Sequence, residues 1–373
     1  MKKIVWITTG AFIDTDFYII KNIRNHYRID LYILKKSNEI IDFMSEIDSF
    51  QSDSFKCEVI KLGKRYRDIT NVICYIKLFK TIKKNGYDVV YSTLSNPPYF
   101  IPLLKSHVDS KRVILAIHNV HVPKGATKYF FNKLYNLFSI KSFDNFQTFS
   151  INQSVLLKGI APNKNVNYAP FYLKDYGRIK SKSDHSLITF LSFGNIRHYK
   201  RIDVLIVAAQ RAYKLTNIKF RVIIAGECSD WNVYKKLIKI SELFDTRIGR
   251  VDTEEIPRLF AESDYFVAPY QDIAQSGSVM VAVNYEKPVI ASRLPAFAEV
   301  ITDGKNGFLI DPASCEELTE VFTNILNNHS NIIDELVENQ VRNKTENYSN
   351  DIITKKYLDF IDRIGALNAK SSK

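Results

Sequence analysis

Short runs of β-branched and aromatic residues alternate along the chain with longer stretches in which apolar residues recur every three or four positions. The short runs are Ile4–Thr8, Asp30–Leu34, Cys57–Lys61, Asp88–Ser92, Val113–Ile117, Asn145–Phe149 and Val166–Tyr168. After a gap they resume at Leu187–Phe193, Phe220–Ala225, Thr246–Ile248, Tyr265–Ala268, Val289–Ala291 and Phe308–Ile310. Runs this apolar suit strands buried on both faces, and their alternation with helical patterns predicts parallel sheets covered on each side. The gap, residues 174–186, is rich in Lys, Ser and Asp, has little to bury and reads as a linker. The pattern predicts two doubly wound α/β domains, residues 1–173 and 187–349, a division that suits 373 residues.

Two helical patterns carry more than a core stripe. From Lys61 to Lys84, eight basic residues stand against the single acid Asp68, while Ile69, Val72, Ile73, Ile76 and Phe79 recur at helical spacing. That predicts one core face and one basic face. From Lys124 to Lys141, Tyr129, Phe130, Phe131, Leu134, Tyr135, Leu137 and Phe138 are set among Lys128, Lys133 and Lys141. Such a helix suits either a membrane interface or the core of its own domain.

Composition narrows the class. With 46% hydrophobic and 25% charged residues, the chain is neither disordered nor collagen-like. Cys57, Cys74, Cys228 and Cys315 lie far apart with no metal-ligand rhythm, which predicts reduced thiols in a cytosolic protein. The start, Lys2-Lys3 then Ile4-Val5-Trp6-Ile7, runs into Thr8-Thr9-Gly10 with no cleavage site, so it reads as a strand rather than a signal peptide. No run approaches the roughly 20 apolar residues of a spanning helix.

The net charge is +12, and all of it falls early. Through Leu173 there are 25 Lys and Arg against 13 Asp and Glu, and beyond it 27 of each. An excess confined to one half predicts a face that meets nucleic acid, an acidic lipid surface or a phosphorylated substrate. Without a helix-turn-helix, zinc-finger or ribonucleoprotein motif, no nucleic-acid partner is expected.

In doubly wound sheets ligands sit beyond the carboxyl ends of strands. The distinctive residues fall there. Gly10 follows the first strand and suits either a phosphate-facing amide turn or a plain turn, with Asp14 close behind. His118 ends the Val113–Ile117 run, followed by His121. Gly194-Asn195-Ile196-Arg197-His198-Tyr199-Lys200-Arg201 brings cations to the start of a helix near Asp203, a setting for a diphosphate. Gln275-Ser276-Gly277-Ser278 exposes amides at another helix start. Arg250 suits stacking on a base or plain solvation, and Asp252 with Glu255 reads as a capping box.

Together these features resemble retaining glycosyltransferase family 4 of the GT-B fold. Gly194 to Asp203 resembles that family's diphosphate loop. Gln275-Ser276-Gly277, Lys287-Pro288-Val289-Ile290-Ala291-Ser292, Pro295 to Glu299 and Asn306-Gly307-Phe308-Leu309 extend the likeness over most of the second domain. The first domain matches more loosely, through Gly10 and His118. The resemblance implies two Rossmann-like domains facing a cleft, with a C-terminal helix near 350–365 crossing back to the first. It implies sugar transfer from a nucleotide-sugar with retention, no metal and no other cofactor. Lys200 would hold the diphosphate. Asn195 stands at the usual arginine position, so Arg197 would supply that charge, and Arg201 replaces a glycine. His118 would lie beside the donor sugar. The family's paired glutamates are here Ile273 and Val281, and the chain resembles a subgroup with a Gln-Ser-Gly turn instead. Asp272 and Glu299 are the nearby acids.

The reading is a cytoplasmic enzyme, peripheral on the inner face of the cell membrane, that builds a surface polysaccharide on a lipid-linked or saccharide acceptor. Gly10, Gly194, Asn195, Arg250, Gln275, Ser276, Gly277, Ser278 and Glu299 would serve the donor. His121 and Asp14 would lie toward the acceptor, and the basic first domain toward an anionic membrane. The competing readings are a catalytically silent GT-B scaffold and a GT-B sugar-nucleotide epimerase.

Overall fold

The computed structural model describes residues 1–41, 44–93, 97–120, 129–178 and 187–371. His121, and the first part of the aromatic segment, lie outside the described residues, as do 179–186 of the linker. The chain divides into two compact units, Met1–Tyr172 with Asn350–Lys373, and Leu173–Ser349.

The first unit runs β1 (Lys3–Thr9), α1 (Ile13–Ile23), β2 (Arg28–Lys35), α2 (Met44–Ser49), β3 (Phe55–Lys61), α3 (Val72–Asn85), β4 (Val89–Ser92), α4 (Phe100–His107), β5 (Val113–Ala116), α5 (Tyr129–Ser142), β6 (Asn145–Thr148), α6 (Ile151–Ile160) and β7 (Asn165–Tyr168). The second runs β8 (Thr189–Phe193), α7 (Ile202–Thr216), β9 (Arg221–Gly226), α8 (Trp231–Lys235), β10 (Phe244–Ile248), α9 (Ile256–Ala261), β11 (Tyr265–Ala268), α10 (Gly277–Asn284), β12 (Val289–Ser292), α11 (Pro295–Ala298), β13 (Gly307–Ile310) and α12 (Cys315–Asn347). A last helix, α13 (Asn350–Ser371), belongs to the first unit. Every run singled out in the sequence carries a strand.

Both sheets are parallel, ordered β3-β2-β1-β4-β5-β6-β7 and β10-β9-β8-β11-β12-β13. The strand order reverses at β1/β4 and at β8/β11, where loops diverge and leave room for a ligand. Side chains alternate across the sheet with period two. On β1, Ile4 and Trp6 face α1 and α13, while Val5 and Ile7 face the layer built by α3, α4, α5 and α6. Helix α13 is fixed to its unit by Tyr357, packed near the stacked Trp6–Tyr91 pair, and by Tyr27 Oη donating to Asp362 at 3.1 Å. Among the described residues no helix is long and apolar enough to cross a membrane.

Three sequence expectations change. The core stripe of α3 is Tyr75, Leu78, Phe79 and Ile82, whereas Ile69 and Ile73 are 74% and 63% exposed. Ile69 to Asn71 form a 3-10 turn before the helix begins at Val72, and within the helix Ile73 lies off the face that Tyr75, Leu78 and Ile82 turn to the sheet. On α5 only part of the aromatic run is inside: Tyr135 and Ile140 are buried, and Phe130, Phe131, Leu134 and Phe138 stay exposed. Asp252 and Glu255 form no capping box. Thr253–Glu255 is a 3-10 turn without a side-chain cap, and α9 starts after it with Pro257 in its first turn.

Asp16, in the first turn of α1, is wholly buried under the carboxyl end of β1 and accepts from Thr93 Oγ1 at 3.0 Å. Burial lifts its carboxyl to about 7, against the lowering hydrogen bonds of Thr8 and Thr93 and with a small upward push from Asp14. The native acid therefore holds a proton that the unfolded chain loses above its ordinary pKa. Its contribution to stability is present in acid and is lost as pH rises toward 7, by roughly 4 kcal/mol in all. Asp16→Asn removes this loss. Urea unfolding is expected to show the variant more stable than the parent near pH 8 and little different near pH 4. An equal difference at both pH values would refute a buried, titrating Asp16.

Candidate functional site

In the second unit the loops after β8, β9, β10 and β11 meet at one edge, because those strands are neighbours in the sheet. Three glycines end the first three strands with positive φ: Gly194 (104°), Gly226 (143°) and Gly249 (148°). Gly194 N–H donates to Ala225 at 2.9 Å and Gly249 N–H to Gly226 at 3.1 Å. A side chain on Gly226 would collide with the Gly194 carbonyl, so the two backbones approach as only glycine permits. Gly226 went unnoticed in the sequence, where it reads as no more than the end of a strand.

The loop after Gly194 is pinned by buried Ile196, whose N–H donates to Glu227 at 2.8 Å. It then makes one 3-10 turn, His198–Lys200, which points Lys200 inward. The Lys200 side chain is almost covered, at 6% exposure, with Nζ 3.5 Å from the Phe193 carbonyl and 5.4 Å from the centre of the Tyr270 ring. No carboxylate pairs with it among the described residues. A buried ammonium left with carbonyl and ring contacts costs free energy that a bound anion would recover.

Its neighbour Arg201 is different. It takes the left-handed conformation (φ 52°) and forks onto Asp203, with Nη2–Oδ2 at 2.8 Å and Nε–Oδ1 at 3.0 Å. That ion pair supports the backbone at a position where the resemblance leads one to expect glycine, and it takes Arg201 out of the anion site. Arg197 and Asn195 are exposed on the same loop.

The turn after β11 closes the other side. Ser276 caps α10 by accepting from Val279 N–H, and its hydroxyl lies 3.1 Å from Ser278 Oγ, itself 3.1 Å from Tyr270 Oη. Gly194 faces both Lys200 Nζ and the Ser278 Cβ. Gly194, Lys200, Tyr270, Ser276 and Ser278 are thus brought together, with the N-terminus of α10 among them. Gly277 is exposed and Gln275 half-buried on the same turn. Arg250 is exposed beside Gly249. Glu299 is half-buried after α11, its carbonyl accepting from Tyr348 Oη at 2.7 Å. Val281 is buried in α10 and Ile273 is half-buried, so the positions of the two absent glutamates are apolar and packed.

In the first unit His118 lies at the carboxyl end of β5, sandwiched between Phe12 (4.3 Å, 11°) and Phe149 (4.5 Å, 17°). Burial lowers its pKa to about 4, although Asp14 opposes the shift. The imidazole is therefore neutral at physiological pH. The flanking Phe12 and Phe149 were not picked out from sequence, since isolated aromatics carry no positional signal. Gly10 does not offer its amide to a phosphate. Its N–H donates to Leu34 at 3.0 Å and its open side is filled by the Glu39 carboxylate, which Tyr66 and Lys36 hold in place. The glycine here admits an acid, which disfavours an anion.

Residues 175–347 match the family model described as glycosyl transferases group 1. An uncharacterized glycosyltransferase of Methanocaldococcus jannaschii is 24% identical over 312 residues, covering 79% of this chain and 83% of the relative. An uncharacterized 41.2 kDa protein in the cps region of Klebsiella pneumoniae is 24% identical over 275 residues, covering 71% and 68%. Anabaena HepE, solved in complex with UDP-glucose, superposes with a TM-score of 0.71 at 15% identity, covering 97% of this chain and all of HepE.

Gly226→Ala is expected to destabilise the second unit by about 1–3 kcal/mol, through its positive φ and its collision with Gly194. A melting temperature equal to the parent's would refute the required approach. For His118 the unfolded chain binds a proton that the native imidazole refuses, so its contribution to stability is present at neutral pH and lost as pH falls from 6.5 toward 4. NMR titration is expected to find His118 unprotonated near pH 5, and His118→Gln to be more stable than the parent there. The sheet topology and these similarities support a glycosyltransferase of the GT-B fold.

Proposed function

We propose that the chain transfers a sugar, with retention at the anomeric carbon, from a nucleotide-sugar to a hydroxyl of a lipid-linked or saccharide acceptor. We assign it to the family 4 type with a Gln-Ser-Gly turn, working in bacterial surface polysaccharide synthesis on the inner face of an anionic membrane. The observation that carries the reading is the buried Lys200 ammonium, with no carboxylate partner among the described residues, set against Gly194 and the N-terminus of α10. A diphosphate would supply the missing charge there. Lys200, the exposed Arg197 and the α10 amides would then stabilise the nucleoside diphosphate as it leaves, so no metal is required.

Ile273 and Val281, at the positions of the family's paired glutamates, supply no carboxylate to attack the anomeric carbon. The proton of the acceptor hydroxyl would pass to the departing phosphate oxygen on the same face. Neutral His118 would orient a sugar hydroxyl rather than act as an acid. HepE's complex with UDP-glucose makes UDP-sugars the first donors to try, and the cps-region relative supports the polysaccharide role. The same apolar Ile273 and buried Val281 also favour a second reading, a silent GT-B scaffold that binds donor without turning it over.

Thermal unfolding against UDP-, GDP-, dTDP- and CMP-sugars separates these. A cognate donor at ~100 times its dissociation constant is expected to add about 2.7 kcal/mol to the parent and far less to Lys200→Ala. Transfer to an acceptor with that donor supports the enzyme. A donor shift with neither transfer nor donor hydrolysis supports the scaffold. A shift in Lys200→Ala equal to the parent's would overturn the assigned diphosphate site.

A further inference from the structure

We propose that the outer side of the α3–α6 layer is the surface that docks on an anionic lipid bilayer, with exposed aromatic and aliphatic side chains entering the interface and lysines at the headgroups. This deepens the membrane part of the proposed function by assigning it to one face of one unit. Two observations coincide on that face.

The first is apolar exposure. Of twelve large hydrophobic residues exposed among the described residues of the first unit, ten lie between Ile69 and Ile160. Ile69 and Ile73 mark the start of α3, and Phe130, Phe131, Leu134 and Phe138 run along α5, with four more on α6. On α5 the positions 131, 134, 138 and 141 form the outward stripe, ending in Lys141, while Tyr135 and Ile140 pack inward. A helix apolar on both sides has a second apolar environment to meet. Helix α4 touches both α3 and α5, and all four helices cover the same side of the sheet, so the patch is one layer.

The second is charge. Residues 61–164, which build this layer, hold 17 Lys and Arg against 4 Asp and Glu. Residues 1–60 hold 8 against 9, and 350–373 hold 5 against 3. The opposite side of the same sheet, covered by α1, α2 and α13, is thus nearly neutral and has few exposed large apolar residues. On α3, Lys77, Lys80, Lys83 and Lys84 are all exposed. Cations beside exposed aromatic side chains complement a negative interface with an apolar interior, where lysine stems reach along hydrocarbon to the headgroups.

The full-length protein, incubated with vesicles of mixed phosphatidylglycerol and phosphatidylcholine at low salt, is expected to sediment with them, and not with vesicles of phosphatidylcholine alone. Phe130→Ser with Leu134→Ser, and separately Lys80→Ser with Lys83→Ser and Lys84→Ser, are each expected to weaken vesicle binding by at least about tenfold. All five positions are exposed, and unchanged circular dichroism verifies the fold. Tryptophan placed at Leu134 (Leu134→Trp) is expected to be quenched by brominated lipid. The proposal falls if folded parent ignores anionic vesicles, if both variants bind as the parent does, or if the new tryptophan is not quenched. It falls equally if Phe130→Ser with Leu134→Ser only converts a dimer to a monomer, since a second copy would then cover the face. Vesicle binding should be the same in Lys200→Ala, so failure here and failure of the donor site are read separately.

Discussion

In both units all strands of the sheet run the same way, so every strand ends at the same edge and every loop that could carry chemistry opens there. This constraint fixes what the rest of the second unit can do. Its loops crowd together at β8–β11, and the crowding is relieved by backbones that approach without side chains. The Gly226 Cα lies against the Gly194 carbonyl, and that contact sets the path of the loop that turns Lys200 inward. A glycine at the end of one strand therefore determines where a lysine on the neighbouring loop places its charge.

Two adjacent cations on that loop show how structural and functional charge separate. Arg201 has a carboxylate fork and a left-handed backbone to maintain, and its neutralisation by Asp203 is part of the loop's own stability. Lys200 has neither, yet it is the more deeply buried of the two. The Phe193 carbonyl and the Tyr270 ring compensate the buried ammonium only in part, and the nearby N-terminus of α10 opposes it, a charge arrangement that a bound anion would relieve. Among the described residues the first unit has no comparably buried cation. His118 is held neutral between two phenyl rings, and the turn at Gly10 is closed by Glu39. The charge that would meet a diphosphate is thus concentrated in one unit.

The strands were legible because parallel, doubly covered strands leave continuous apolar runs, and the loops after Phe193 and Ala268 were legible because cations and small residues at strand ends are unusual. What escaped the sequence was what depends on the third dimension. Helix α3 carries two apolar stripes of similar spacing, and packing on the sheet selected Tyr75, Leu78 and Ile82 over Ile69 and Ile73. Asp14 and Asp16 look alike in a first helical turn, yet one is half exposed and the other wholly buried. Glu39 meets Gly10 only because β1 and β2 are neighbours, and Gly226 meets Gly194 only because β8 and β9 are. Pairings across strands set both contacts, and pairing is not written locally.

The two faces of the first sheet offer an internal control on what folding requires. Helices on either side must bury an inner stripe of the same kind, and they do: Phe17, Ile20 and Ile23 on α1 serve as Tyr75, Leu78 and Ile82 do on α3. Folding makes no demand on the outward stripe beyond solubility, which exposed apolar residues oppose. The outward stripes nonetheless differ sharply, near neutral and polar over α1 and α13, cationic over α3 and studded with phenylalanine over α5. Since the sheet, its twist and its helix spacing are common to both sides, the difference cannot come from packing. On the docking proposed above, it answers to a bilayer, which has negative charge at its surface and hydrocarbon beneath.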